Sequence, residues 1–542
     1  MMNTLVKIGS VALTTLIATS LTIAQGEVNR IVTAFSEAQP GSLDVHAASN
    51  ADQFLVLRNV CEGLITYDPI TLEPVPSLAE SWDISDDGLT YTFYLRSGVT
   101  FHDGSPLDAN DVKYSLDRLA NRETGTSYTA GLILSNVVGW SEARPPASTV
   151  GEGTPTPEPV TPAESISGVS VVDENTVSIT LRTVAPAFLS RLTLPGGFII
   201  PEGAGEVADF AQNPLCSGPY SISENIPDQQ IVLSAYDGYW NGAPQVDEVV
   251  IRVIPEQSVQ ILEFEAGSLD IVSVPPSDLA RIRADGTLAS QLIEIPTLSV
   301  FTLRINLNDP VLGDVRVRQA LSQSIDRQLI IDTVLQGQGV PANGLYPPGL
   351  STFDPSFIPA PYDPEAAAAL LAEAGYPDGL DIELRTGQIE TEVRVLNAIA
   401  QTATASGFNI IINSTERSVW DQDRTACNMQ AGSVAWGLDY PDPENVAQIA
   451  IGGTSAARLN CGYGEYELLP EAQALYDQGV TTALGEERDL VFREFQNVVI
   501  AEAVATIPIY HGTTATLINA RLGGTPVDNQ GIRQFALISL GE

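Results

Sequence analysis

The sequence predicts an α/β protein of two or three domains. Period-two runs take turns with runs of helical period along its 542 residues, the pattern of sheets covered by helices. The length passes the roughly 250–300 residues at which one hydrophobic core stops growing. No internal repeat is evident.

The elements follow in chain order. Ile31 to Phe35 is an apolar run suited to a buried strand, followed by a loop at Pro40-Gly41-Ser42-Leu43-Asp44. Leu57, Val60, Cys61 and Leu64 recur at helical spacing and predict a helix over 54–64. Tyr91, Phe93 and Leu95 alternate with Thr92, Tyr94 and Arg96, as in a half-buried strand. Asp103-Gly104 breaks the chain, and Asp108 caps a helix through Val112, Leu116 and Leu119. Residues 144–162, dense in Pro, Thr and Gly, read as a flexible surface insertion. Val177, Ile179 and Leu181 predict a strand, as do 230–235 and 248–254, with a helix over 258–266 ending at Gly267. A strand at 301–306 restarts the pattern. Asp314 and Asp326 cap two helices, the second stopping at Gly337. Asp363-Pro364 opens a third helix that Gly375 and Pro377 end. Strands at 380–384 and 409–413 flank a helix at 392–404. A helix near 486–499 and strand-like runs at 505–510 and 514–519 close the chain.

The formal net charge is −41. An acidic surface of that size repels phosphates and anionic headgroups, which argues against nucleic acid and membrane-surface partners. Lys7 and Lys113 are the only lysines. Adaptation to a salty medium and a genomic preference for arginine both account for this. Lys7, the uncharged run Ile8 to Ala24 and the small-x-small site Thr22-Ile23-Ala24 read as an export signal, with a mature chain from about Gln25. Cys61, Cys216, Cys427 and Cys461 permit two disulfides in an oxidising compartment, with three possible pairings.

Catalytic templates are missing. The sequence holds no G-x-S-x-G, no H-E-x-x-H, no G-x-x-x-x-G-K-[ST] and no dinucleotide-type glycine motif. His46, His102 and His511, the only histidines, lie beside turn or strand residues and read as structural hydrogen-bonders. No zinc spacing is present, and no cofactor is implied. The densest candidate is Trp436-Gly437-Leu438-Asp439-Tyr440-Pro441-Asp442-Pro443, where restricted backbone and aromatic rings frame carboxylates. A carboxylate so held suits an ammonium group. A proline-rich surface turn, with Asp442 capping the next helix, fits the same residues.

Several blocks resemble one family. They are Leu78 to Leu119, Gln39-Pro40-Gly41-Ser42-Leu43-Asp44, Ser217-Gly218-Pro219-Tyr220, Tyr236 to Trp240, Asp314 to Leu321 with Ile325-Asp326-Arg327, and Tyr362 to Pro377. In order and spacing they are similar to the extracellular solute-binding proteins of ABC importers, in the oligopeptide, dipeptide and nickel group (family 5). The resemblance implies a type II-like two-lobed periplasmic-binding-protein fold with an extra domain inserted in the first lobe. The expected division is 1–24 signal, 25–68 first lobe, 69–194 inserted domain, 195–297 first lobe, 298–502 second lobe and 503–542 first lobe. It also implies a monomer that encloses a peptide or other small solute and docks on a membrane permease.

By the same resemblance, Trp436 and Asp439 match the positions that receive a peptide's α-ammonium. Tyr128 matches a pocket-lining position, and the 35–39 loop with Phe35 and Glu37 belongs to the pocket wall. Trp420 and Tyr440 complete the candidate set. Ser433 stands where oligopeptide members often have an arginine for the ligand carboxylate, leaving Arg385 or Arg417 as substitutes. The resemblance also suggests the pairings Cys61–Cys216 and Cys427–Cys461. The competing functions are a receptor for a nickel chelate, sugar oligomer or opine-like compound, and a secreted hydrolase using two carboxylates. The scarcity of histidine weighs against nickel.

Overall fold

The computed structural model describes residues 29–35, 39–124, 127–145, 163–450, 460–463 and 469–541, with the side chains of Ser127 and Tyr128 outside the description. The expected signal segment, Glu37 and nearly all of the 144–162 insertion lie outside the described residues.

Three larger sheets organise the chain. The first runs in the order Leu292–Pro296, Thr513–Ile518, Ile271–Ser273, Arg30–Ala34, Glu248–Arg252, Gln230–Ala235 and Tyr220–Ile226. The second has six strands, Val340–Pro341, Thr506–His511, Ser299–Ile305, Ala431–Gly437, Leu380–Gly387 and Phe408–Thr415. The third joins Ala79–Ile84, Thr90–Leu95, Thr176–Thr180 and Val169–Asp173. In the third sheet Tyr91, Phe93 and Leu95 are buried, as the alternation requires.

The first two sheets share two adjacent crossings. Pro296 leads through Thr297 and Leu298 into Ser299, and His511 leads through Gly512 into Thr513. Thr297 N donates to Gly512 O at 3.0 Å, so the crossings lie side by side. The chain returns to the seven-stranded sheet at Gly512: Thr506–His511 pairs antiparallel with Ser299–Ile305 and belongs to the six-stranded sheet.

Local chemistry sets most element ends. Asp108 and Asp111 form a capping box on helix Ala109–Ala120. Asp314, Asp326 and Asp363 cap Val315–Gln323, Arg327–Thr333 and Pro364–Glu373. The helix expected over 54–64 instead runs Ala51–Val60, capped by Asn50. Cys61 is extended and bonded to Cys216, Cα–Cα 4.9 Å, and a Cβ on Gly218 would fall 2.5 Å from Val60 O. That tight pairing of the two segments ends the helix early. Cys427 and Cys461 form the other disulfide, Cα–Cα 5.3 Å. Arg318 is buried with its guanidinium on the carbonyls of Leu312, Gly313, Ala503 and Val504. It ties its helix to the segment that feeds strand Thr506–His511.

Buried titratable groups oppose one another in acid. Glu62 accepts from Trp240 Nε1 at 2.8 Å and Tyr239 OH at 2.8 Å. Burial pushes its carboxyl up to about 7, against the pull of these donors. A folded value above the unfolded one stabilises below the unfolded value of 4.5, and that stability is lost as pH rises through about 7. His46 and His511 have the opposite sign. Burial lowers them to about 3 and about 4, so their contribution is lost as pH falls below 6.5. Glu62→Gln is expected to raise the melting temperature at a pH about one unit above 7 and to leave it nearly unchanged near the unfolded value. Thermal denaturation at the two pH values checks this, and an equal shift at both contradicts it.

Candidate functional site

The Ala431–Gly437 strand lies inside the six-stranded sheet. On one side it pairs antiparallel with Ser299–Ile305 over its full length, from Ala431 opposite Ile305 to Gly437 opposite Ser299. On the other side it pairs with the parallel strand Leu380–Gly387 only at Ala431 and Gly432. Beyond Gly432 the edge of Ser433 to Gly437 has no ladder partner among the described residues. Ser433, Ala435 and Gly437 alternate onto one face. Ser433 is buried, whereas Ala435 and Gly437 are exposed, and a Cβ on Gly437 would meet nothing within 4 Å. This open edge and face lie at the carboxyl ends of parallel strands, where α/β sheets commonly bind ligands.

The chain then turns through Leu438, whose N–H donates to Leu298 O at 2.7 Å, and arrives at Asp439. Asn445 fixes that turn. Its Oδ1 accepts from Trp436 Nε1 at 2.9 Å and from the Asp439 N–H at 3.2 Å, and its Nδ2 donates to Asp439 Oδ2 at 3.0 Å. One buried amide therefore sets the indole, the backbone and the carboxylate of the site together. Asp439 is half-buried at the end of the open edge. A carboxylate presented this way receives an ammonium through a charge-assisted hydrogen bond.

Beneath the turn lies a buried ionic network. Asp442 caps helix Pro443–Ala450 through the Glu444 N–H at 2.9 Å, and Pro443 suits the first helical position. The segment is no surface turn, since Asp442 is 3% exposed. Arg488 grips Asp442 with two bonds of 2.8 Å and lies 3.6 Å from Glu444. Burial works against the Arg488 charge, and the two carboxylates outweigh it, so its pKa is raised. Arg191, from helix Phe188–Leu192 beside the four-stranded sheet, donates Nε to Glu444 at 2.9 Å. Tyr440 OH donates to Glu444 at 2.7 Å, and its ring joins the hydrophobic core of the four-stranded sheet. The turn carrying Asp439 is thus clamped between the six-stranded and four-stranded sheets.

The structure gathers Asp439, Trp436 and Tyr440 in one turn, with Tyr440 facing away into a core. Phe35 and Trp420 do not join them. Phe35 is 1% exposed in the core of the seven-stranded sheet. Trp420 is 4% exposed and fills the space over Gly432, where a Cβ would lie 2.2 Å from its ring. Tyr128 lies in the first turn of helix Ser127–Leu134, and its side chain lies outside the description, as does Glu37. Arg385 is held by Asp423 at 2.7 Å, and Arg417 is exposed beside Asp421 at 3.3 Å. Among the described residues no group of three His, Cys, Asp or Glu could hold a metal ion. Sequence reasoning missed Asn445, Arg488 and Arg191. Only Asn445 carried a signal: a polar residue beside Val446 and Ala447, in the first turns of a capped helix.

Residues 73–457 match the bacterial extracellular solute-binding proteins, family 5 Middle. The chain belongs to this family. Among its relatives is the dipeptide-binding protein of Escherichia coli (strain K12), 29% identical over 496 residues and 88% of each chain. Heme-binding protein A of Haemophilus influenzae is 28% identical over 492 residues, 86% of this chain and 84% of the relative. The solved structure of HbpA2 from Haemophilus parasuis is 25% identical, covers 95% of this chain and 100% of its own, and has a TM-score of 0.79. The α/β fold of this family 5 protein is accordingly the two-lobed one of periplasmic binding proteins. No helix among its described residues is long and apolar enough to cross a membrane.

Proposed function

We propose that this solute-binding protein captures peptides outside the cytoplasm and hands them to the membrane permease of an ABC importer. The observation that carries this reading is the open strand edge of Ser433 to Gly437 ending at a fixed Asp439. A peptide laid along that edge adds a strand, with main-chain hydrogen bonds giving affinity without reading side chains. Its α-ammonium then meets the Asp439 carboxylate, so the peptide runs antiparallel to Ala431–Gly437. The E. coli relative that binds dipeptides supports the same class of ligand. Enclosure follows from closure of the two lobes about the crossings at Thr297 and Gly512. The inserted domain is the body built on the four-stranded sheet. The segment up to about Ala24 directs export, and the protein works by binding without chemical turnover.

Denaturing natively purified protein and weighing the released ligand tests this. A ladder of mixed peptide masses is expected. A single non-peptide mass, such as a porphyrin or a metal chelate, would overturn the peptide reading.

A further inference from the structure

The end of the open edge away from Asp439 carries a second carboxylate. Glu392 lies in the first turn of helix Glu390–Ala403, which follows strand Leu380–Gly387. Its Oε2 lies 2.8 Å from Thr386 Oγ1 and 2.7 Å from Ser433 Oγ, and the two hydroxyl oxygens lie 2.7 Å apart, so two hydroxyl protons serve these three contacts and at least one is donated to Oε2. One oxygen is therefore fixed by neutral donors. The other, Oε1, has no partner among the described residues and is not sealed from solvent. No arginine or lysine pairs with this carboxylate among the described residues, although Arg385 stands one position from Thr386. That arginine is turned to Asp423 at 2.7 Å and to the Asn428 carbonyl.

A track joins the two carboxylates. Glu392 sits on Ser433, and Ser433, Ala435 and Gly437 share the face that leads to Asp439. Ala435 lies opposite Phe301, and Tyr510 stacks on Phe301 with ring centroids 5.1 Å apart. Burial raises the Tyr510 phenol, and the Glu392 charge adds to that rise. The far end thus offers an anion that no arginine or lysine among the described residues neutralises, and such a group favours a cation.

We propose that Glu392, held by Thr386 and Ser433, is a specificity determinant that selects peptides with a cationic side chain distant from the N-terminal amine. The proposal rests on the peptide reading of the site. From Ser433 to Gly437 is roughly 13 Å at about 3.3 Å per residue. Four steps put the Ser433 level at about the fifth residue of a ligand anchored at Asp439, and the long side chain of a lysine or arginine reaches it from about the third or fourth. A free C-terminal carboxylate at that point is disfavoured by the same charge.

Calorimetry with amidated alanine tetrapeptides tests this, lysine being compared with norleucine at each of the later positions. Wild-type protein is expected to prefer lysine by about tenfold or more at one of them. Glu392→Gln, which keeps a side-chain oxygen for the two hydroxyls, is expected to abolish that preference while changing norleucine affinity by less than about threefold. Equal affinities for lysine and norleucine in wild type overturn the inference. So does a lysine preference that survives in Glu392→Gln. Failure of every peptide to bind wild-type protein instead overturns the peptide reading on which the inference rests.

Discussion

Asp439→Ala is expected to weaken peptide binding by about 2–5 kcal/mol, the usual result of leaving one charge of a desolvated pair without its partner. At about 1.4 kcal/mol per tenfold, this raises Kd by more than an order of magnitude. The fold should survive, because the Asp439 N–H and Trp436 still donate to Asn445 Oδ1 when the carboxylate is removed. Calorimetry with one peptide on both proteins reads the effect. Unchanged affinity with unchanged melting temperature would mean that the amine is received elsewhere.

Arg488→Met is expected to be the most destabilising single substitution near the site, by about 3–5 kcal/mol. The arginine and its partners Asp442 and Glu444 all have side chains no more than 4% exposed. Methionine fills much of the volume but leaves two neighbouring carboxylates buried with one cation, Arg191, which bonds Glu444. Glu444 Oε2 already lacks a hydrogen bond, so the network has no spare donor. The unfolding transition should move down by several degrees at neutral pH. Acidification should restore part of the loss, since a protonated carboxylate no longer needs Arg488. A variant as stable as wild type at neutral pH would show that the network is not what holds the turn.

Features that depend on neighbours in sequence were legible before the structure. Asp108, Asp314, Asp326 and Asp363 cap their helices because the capped N–H groups lie only two or three residues away. Trp436 and Asp439 were legible as a motif, and the structure binds them through a single amide. What stayed hidden comes from distant elements. Arg191 and Glu444 are 253 positions apart, Arg488 and Asp442 are 46 apart, and Ser433 and Glu392 are 41 apart. No spacing rule joins such pairs. Trp420 misled for the opposite reason. Its neighbours Asp421, Asp423 and Arg424 suggest an exposed helix, yet Gly432 on the strand below leaves the indole a slot in the core. The early end of helix Ala51–Val60 was hidden too, because a disulfide to Cys216 imposes it.

In the function proposed above, this family 5 protein receives a peptide by its N-terminal amine at Asp439. The most direct measurement compares one peptide with its N-acetylated form by calorimetry on wild-type protein. The free-amine peptide is expected to bind, and acetylation, which removes the ligand's charge, is expected to weaken binding by an order of magnitude or more. Equal affinity for the two forms would contradict it.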